Sequence, residues 1–200
     1  MLARISRSRR TQHAPAPERA HPDVQVAFYA GDDGHHSMLI RRHEAGDWPA
    51  LWALLHETFR DGDTYAFAPD STEAEIRRVW IEVPLATYVA RDPDGTLLGT
   101  YYLKANQPGL GAHVCNCGYV VAPAAQGQGV ATAMCEHSQH EARKLGFRAM
   151  QFNLVVSTNV RAVQLWQRLG FAIVGTLPKA FCHLRLGEVD AYVMYKRLVD

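Results

Sequence analysis

The chain has 200 residues, 48% of them hydrophobic, and a formal net charge of +1, enough for one sizeable core in a single domain. Near-neutrality argues against a nucleic-acid partner, and no apolar run reaches the roughly 20 residues of a membrane helix. The cysteines (Cys115, Cys117, Cys135 and Cys182) follow no secreted disulfide spacing, which favours a reducing, cytoplasmic setting.

Residues 1–36 are expected to be a disordered basic tail. Arg4, Arg7, Arg9, Arg10 and Arg19 stand among Ser, Pro, Ala and His, leaving little to bury. An Arg-rich start is also the composition of an organelle transit peptide, but no amphipathic face is evident. An over-extended translation start gives the same pattern. The folded domain is expected over residues 37–200, opening with the short strand "SMLIRR". Asp47 can cap a helix whose apolar positions Trp48, Leu51, Trp52, Leu55 and Phe59 have helical spacing. Beyond the loop "RDGDTYAFAPD", Thr72 and Glu75 fit a capping box ahead of Ile76, Val79, Trp80 and Val83. "ATYVAR" and "TLLGTYYLK" flank the turn signal "DPDG" and read as a hairpin.

"HVCNCGYVV", His113 to Val121, is the next strand. Alternation puts His113, Cys115, Cys117 and Tyr119 on one face, and Val114, Asn116 and Gly118 on the other. A helix from about Gly129 to Leu145 stops at Gly146, "AMQFNLVV" is a strand, and a helix from Val160 to Leu169 closes at Gly170. "FAIVGTLP" and "VDAYVMYKRL" are the last strands. The sum is an α/β (α+β) chain with a mixed, mostly antiparallel sheet and helices on its faces.

The segment "APAAQGQGVATAM" leads from a strand into a helix N-terminus. The first helical N–H groups lack internal partners, and the macrodipole favours an anion beside them. Gly127 and Gly129 let the backbone approach a ligand closely. Neither a Walker loop nor the dinucleotide fingerprint is present, so the loop alone also fits a tight strand-to-helix turn.

Through Gln126, Gly129 and Ala131, "QGQGVA" resembles the Q/R-x-x-G-x-G/A motif of the Gcn5-related N-acetyltransferase (GNAT) superfamily. "NVRAVQLWQRLGF" resembles that superfamily's N-x-x-A-x-x-x-(aromatic)-x-x-x-G-F helix at Asn159, Ala162, Trp166, Gly170 and Phe171. "HVCNCGYVV" and "FNLVVSTN" are similar to the corresponding strands of fungal acetyltransferases acting on proline analogues such as azetidine-2-carboxylate. The resemblance covers Ser37 to the C-terminus and implies a splayed central strand pair. It implies an acetyl-CoA-dependent N-acetyltransferase, in which a small primary or secondary amine attacks directly. An amino acid or proline analogue is within that class. The pyrophosphate would sit on Gln126, Gly127, Gln128, Gly129, Val130, Ala131 and Thr132. The pantetheine arm would lie against the backbone of Tyr119, Val120 and Val121. Asn159 would stand near that arm, although a plain N-cap role fits it too. Asp63, Thr64, Tyr65 and Phe67 fall in the connection that covers the acceptor side. Where many members carry Tyr this chain has Trp166, whose indole donates a hydrogen bond but is no useful acid.

Asn116 and Asn153, the catalytic candidates, interrupt apolar strands bordering the expected cleft. A buried Asn needs partners; these two are satisfied by backbone or orient the substrate's amine or carboxylate. His113 is available as a base. Alternate strand residues rarely converge in a tetrahedron, so His113, Cys115 and Cys117 are not expected to hold a metal. No basic partner activates a cysteine nucleophile, and Cys115 and Cys117 read as wall material. Two rival readings are a protein or peptide acceptor and a non-catalytic acetyl-CoA sensor. A monomer or homodimer is expected, with no nucleic-acid or membrane partner.

Overall fold

The computed structural model describes residues 25–31 and 34–199. Its strands are β1 (Gln25–Gly31), β2 (Gly34–Arg42), β3 (Ala86–Arg91), β4 (Leu97–Ala105), β5 (Val114–Val121), β6 (Ala149–Val156), β7 (Ala172–His183) and β8 (Gly187–Arg197). The helices are α1 (Trp48–Arg60), α2 (Glu73–Arg77), α3 (Val130–Lys144) and α4 (Val160–Arg168). The strands form one eight-stranded sheet in the order β1-β2-β3-β4-β5-β6-β8-β7. Every neighbouring pair is antiparallel except β5 and β6. This is the mixed, mostly antiparallel α/β architecture expected from the order of elements.

β1 moves the start of the sheet back from Ser37. "QVAFYAG" pairs with β2 along its whole length, although it belongs to the stretch set aside as tail. Its hairpin signal, two aspartates between Gly31 and Gly34, is overwhelmed in composition by the arginines upstream. Residues 1–24, the rest of that expected tail, lie outside the described residues.

The helices cover opposite faces of the sheet. Under α1 and α2, Leu51, Leu55, Phe59, Ile76 and Trp80 pack on Val89, Tyr102 and Val120. Under α3 and α4, Val130, Met134 and Trp166 pack with Tyr101, Cys115, Cys117 and Phe152. The Thr72–Glu75 capping box forms as expected. Beyond Arg77 the helix widens into a π-helical turn, Arg78–Glu82, which sinks Trp80 into the core. The widened turn carries Val83 off the buried face, leaving it 54% exposed against its helical spacing. β7 also outruns "FAIVGTLP", continuing to His183. As an edge strand it tolerates Pro178, and it absorbs Lys179 at φ 53° where the register shifts between Leu177 and Phe181.

Asp47 precedes α1, but its carboxylate does not cap that helix. It accepts from Arg41 at 2.8 and 2.9 Å, from Arg91 at 2.8 Å and from the Glu44 N–H at 2.8 Å. The group is 3% exposed and ties β2, β3 and the entry to α1 together. Burial alone would raise its pKa; the hydrogen bonds from Arg41, Glu44 and Arg91 outweigh this and hold it at about 2. The resulting stability, about 2 kcal/mol, is complete above the ordinary carboxylate pKa of about 3.9 and is lost as pH falls toward about 2. Asp47→Asn should therefore flatten the acid limb of a urea-unfolding series between about pH 4 and 2. A limb with unchanged slope would contradict this assignment.

Candidate active site

β5 and β6 pair only where Val114–Asn116 faces Ala149–Gln151, and beyond that point they separate. β6 is drawn toward β8, with an irregularity between Phe152 and Val155 that contains Asn153 and Leu154. β5 stays on β4, with Gly118 opposite Tyr102, Val120 opposite Thr100, and the Ala122 N–H donating to Leu98 at 2.8 Å. Alternate residues of an antiparallel strand turn their N–H and C=O to the same neighbour. Gly118, Val120 and Ala122 thus serve β4, while Tyr119 and Val121 turn theirs toward the gap. The Tyr65 hydroxyl, donating to the Tyr119 carbonyl at 2.9 Å, fixes that direction.

A continuous cleft of about 1170 Å³ runs through this gap. Gln126, Gly127, Gly129, Val130, Ala131 and Thr132 line one end. Gly127 and Gly129 are left-handed at φ 78° and 89°, and Gly129 is the N-cap of α3. A Cβ at either glycine would meet nothing within 4 Å, so the backbone conformation, not crowding, calls for glycine there. No acid stands in the first turn of α3, and Arg161 and Arg168 also line the cleft. These features suit an anion. Gln128 instead donates to the Ala124 carbonyl at 2.9 Å and does not line the cleft. Val120 and Val130, 3% and 1% exposed, anchor the two segments in the core.

α4 forms the next wall. Asn159 lines the cleft and also caps α4, accepting from the Ala162 N–H at 3.2 Å. Trp166 packs on Tyr119 and Phe152 with ring centroids 5.0 and 5.2 Å apart. The Tyr119 side chain points toward α3, its hydroxyl meeting the Ser138 hydroxyl at 2.6 Å.

On the α1 face the cleft has a floor of Tyr102, Lys104, Asn116, Gly118 and Asn153. Asn116 is 6% exposed; it donates to the Gln151 carbonyl at 3.0 Å and accepts from the Tyr102 hydroxyl at 3.1 Å. With both ends of its amide engaged at the last paired position, it pins the branch point and positions Tyr102. Asn153 is exposed, donating to Asn106 Oδ1 at 2.7 Å and accepting from Gln151 at 2.9 Å. The two candidates therefore share one face and both line the cleft, Asn116 buried and Asn153 exposed. Gly118 carries no side chain because its Cβ would lie 2.7 Å from the Tyr102 ring and 3.1 Å from the Tyr65 hydroxyl.

The tip of the β7–β8 hairpin roofs this end. The Leu184 N–H donates to the Gly62 carbonyl at 3.3 Å, and Arg185 pairs with Asp63 at 3.6 Å. Gly62 sits at φ 60° beneath the Leu184 side chain, which would meet a Cβ at 2.4 Å. Of the expected acceptor contacts, Asp63 is thus engaged by Arg185, Tyr65 by Tyr119, and Phe67 packs on Phe59 at 4.6 Å, all along the cleft with Thr64. His183 is 7% exposed, and its Nδ1 accepts from the Arg185 N–H at 3.1 Å.

His113 is exposed, bonded to the Leu110 carbonyl, and does not line the cleft. Burial pushes the Cys115 thiol up to about 12 and the Cys117 thiol well above its ordinary value. Neither is suited to act as a thiolate nucleophile. Among the described residues no three His, Cys, Asp or Glu side chains gather as a metal-binding group. Tyr102 and Lys104, at the end of the hairpin strand "YYLK", also line the cleft and carry no motif of their own in the sequence. The available signal was Gly118, since a glycine inside a strand marks a close approach.

The acetyltransferase (GNAT) family model matches residues 48–171. The chain is 37% identical over 102 residues to "N-acetyltransferase aca1" of Schizosaccharomyces pombe, covering 49% of this chain and 47% of that protein. It spans less than half the length of the curated relatives it matches. A GCN5-related N-acetyltransferase from Kribbella flavida is 43% identical, with a TM-score of 0.76 over 80% of this chain and 97% of that one. A phosphinothricin acetyltransferase from Sinorhizobium meliloti, solved in complex with AcCoA, shares the fold at 21% identity and TM-score 0.71, over 80% of this chain and 88% of that one. Matched by the family model over more than half its length, this chain belongs to the acetyltransferase (GNAT) family.

Proposed function

We propose that the chain is an acetyl-CoA-dependent N-acetyltransferase for a small primary or secondary amine, with amino acids and proline analogues as the favoured acceptors. One observation carries this reading: a single cleft passes through the parted strands, from an anion-favouring loop to a roofed pocket on the opposite face. Acetyl-CoA supplies the acetyl group as a thioester.

Gln126 to Thr132 would hold the pyrophosphate through backbone N–H groups at the start of α3. Tyr119 and Val121 would pair with the pantetheine arm, and a strand amide aimed at the thioester carbonyl would stabilise its developing negative charge. The amine nitrogen bonds to the acetyl carbon as the C–S bond breaks, and the proton shed by nitrogen balances the departing thiolate. The raised Cys117 pKa favours this direct route over an acyl-enzyme. A peptide N-terminus, with pKa near 7.7–8.0, loses only about 1 kcal/mol to deprotonation at pH 7, against about 4–5 kcal/mol for a lysine-like amine. A free amino acid or imino acid keeps its proton to higher pH than a peptide N-terminus because its own carboxylate stabilises the ammonium, so the proposed acceptor gives a proton to water or to a base before it attacks.

The Leu184–Gly62 contact and the Arg185–Asp63 pair close the pocket, which favours a small acceptor over a polypeptide. The testing experiment measures free CoA thiol released with a panel of small amines and of peptides. Release with small amino acids or cyclic imino acids is expected. Release with peptides alone, or acetyl-CoA binding without release from any amine, would overturn the reading.

A further inference from the structure

We propose that Lys104 is the specificity residue for a carboxylate on the acceptor, so that amino carboxylates are taken in preference to the same amines without the acid. The inference rests on the acetyltransferase reading, because it assigns the acceptor to the roofed end of that cleft.

Lys104 lies next to the end of β4, half-buried on the cleft floor. Its ammonium stands 5.4 Å from the centroid of the Tyr102 ring. Among the described residues it has no carboxylate partner. A cation drawn partly out of water gains most from a matching anion. The acids near this end do not supply one. Asp63 is taken by Arg185, and Glu57 and Asp61 are exposed at the rim.

His183, from the roof, reinforces the preference. Its Nδ1 accepts the Arg185 N–H, so the neutral ring carries its proton on Nε2 and can only donate there. Asn153 adds a polar amide on the facing strand, bonded to Asn106 and Gln151 at the same sheet face. Lys104, His183 and Asn153 thus line the same cleft, with Lys104 the cation on its floor.

Spacing sets the size of the acceptor. Lys104 stands opposite Asn116, and Tyr102 stands opposite Gly118, directly before the amides that face the gap. Two residues of strand separate these points, roughly 7 Å. The side chain leans back along that distance, its ammonium 5.4 Å from the Tyr102 ring centroid, so a carboxylate held there leaves a short acceptor's amine beside the gap. An α-amino acid or a cyclic imino acid is an acceptor of that size.

The test compares L-proline with L-prolinamide as acceptors for the wild-type chain, Lys104→Met and Lys104→Arg. Lys104→Met is expected to raise KM for the acid 10- to 100-fold while moving kcat, and KM for the amide, by no more than about twofold. Lys104→Arg should restore most of the lost affinity for the acid. Equal effects on acid and amide, or no effect on either, would overturn the proposal. Calorimetry with L-proline in the presence of CoA gives a readout that needs no turnover. There Lys104→Met should bind at least 10-fold more weakly, with its thermal midpoint unchanged. If no amine releases thiol while this Lys104-dependent binding persists, the acetyltransferase reading fails and the carboxylate anchor stands. If the wild-type chain acetylates the amide but binds no acid, the anchor fails and the acetyltransferase reading stands.

Discussion

Gly129→Asp is expected to weaken acetyl-CoA binding by at least about 100-fold, a loss of about 2.7 kcal/mol or more. Gly129 is the N-cap of α3 and sits at φ 89°. Aspartate is among the L residues that best tolerate that conformation, and it is also a good helix N-cap. A Cβ there meets nothing within 4 Å, so the fold should survive. What changes is the charge: a carboxylate would occupy the place where the helix N-terminus favours the ligand's anion. It would also compete for the N–H groups whose charge-assisted bonds contribute about 1.5–3 kcal/mol each. Gly129→Ala, which adds strain without charge, should lose far less. Calorimetric titration with acetyl-CoA reads both variants. Wild-type affinity in Gly129→Asp would remove the loop from the binding site.

Gly118→Ala should cut turnover by about 100-fold and destabilise the chain by about 1–3 kcal/mol, with a smaller loss of acetyl-CoA affinity than Gly129→Asp. The added methyl would lie 2.7 Å from the Tyr102 ring. That ring cannot retreat, because it meets Trp80 edge-on at 4.9 Å and holds Asn116 through its hydroxyl. The strain would pass into the Tyr65–Tyr119 bond and the branch point between β5 and β6. The phosphate end lies beyond Val121 and should not feel it. Full activity in this variant would show that the Tyr65–Tyr102 wall does not position the acceptor.

Much of the fold was legible in the sequence because its signals are local. The Thr72–Glu75 capping box, the "DPDG" hairpin, the Gly146 and Gly170 helix stops and the "QGQGVA" loop each act within a few residues, and each forms. The misses come from contacts distant in sequence. Asp47 looks like a helix cap, yet Arg41 and Arg91 from two strands claim its carboxylate. Asn116 reads from the sequence as an amide on the cleft, and its partners, the Gln151 carbonyl and the Tyr102 hydroxyl, come from two other strands. Asn153 differs only because the irregularity in β6, invisible in the sequence, turns it out toward the cleft. The cysteines of "HVCNCGYVV", read as wall material, are packed in the core, and Gly118 makes room for the Tyr102 ring beside them.

The most direct measurement of the central claim is amide exchange, followed by NMR residue by residue, with and without acetyl-CoA. New protection is expected at Tyr119 and Val121, whose N–H groups face the parted strands. Val120, already paired with β4, should stay unchanged. Protection confined to other strands, or none at Tyr119 and Val121 at saturating acetyl-CoA, would contradict the placement of the cofactor arm in the gap between β5 and β6.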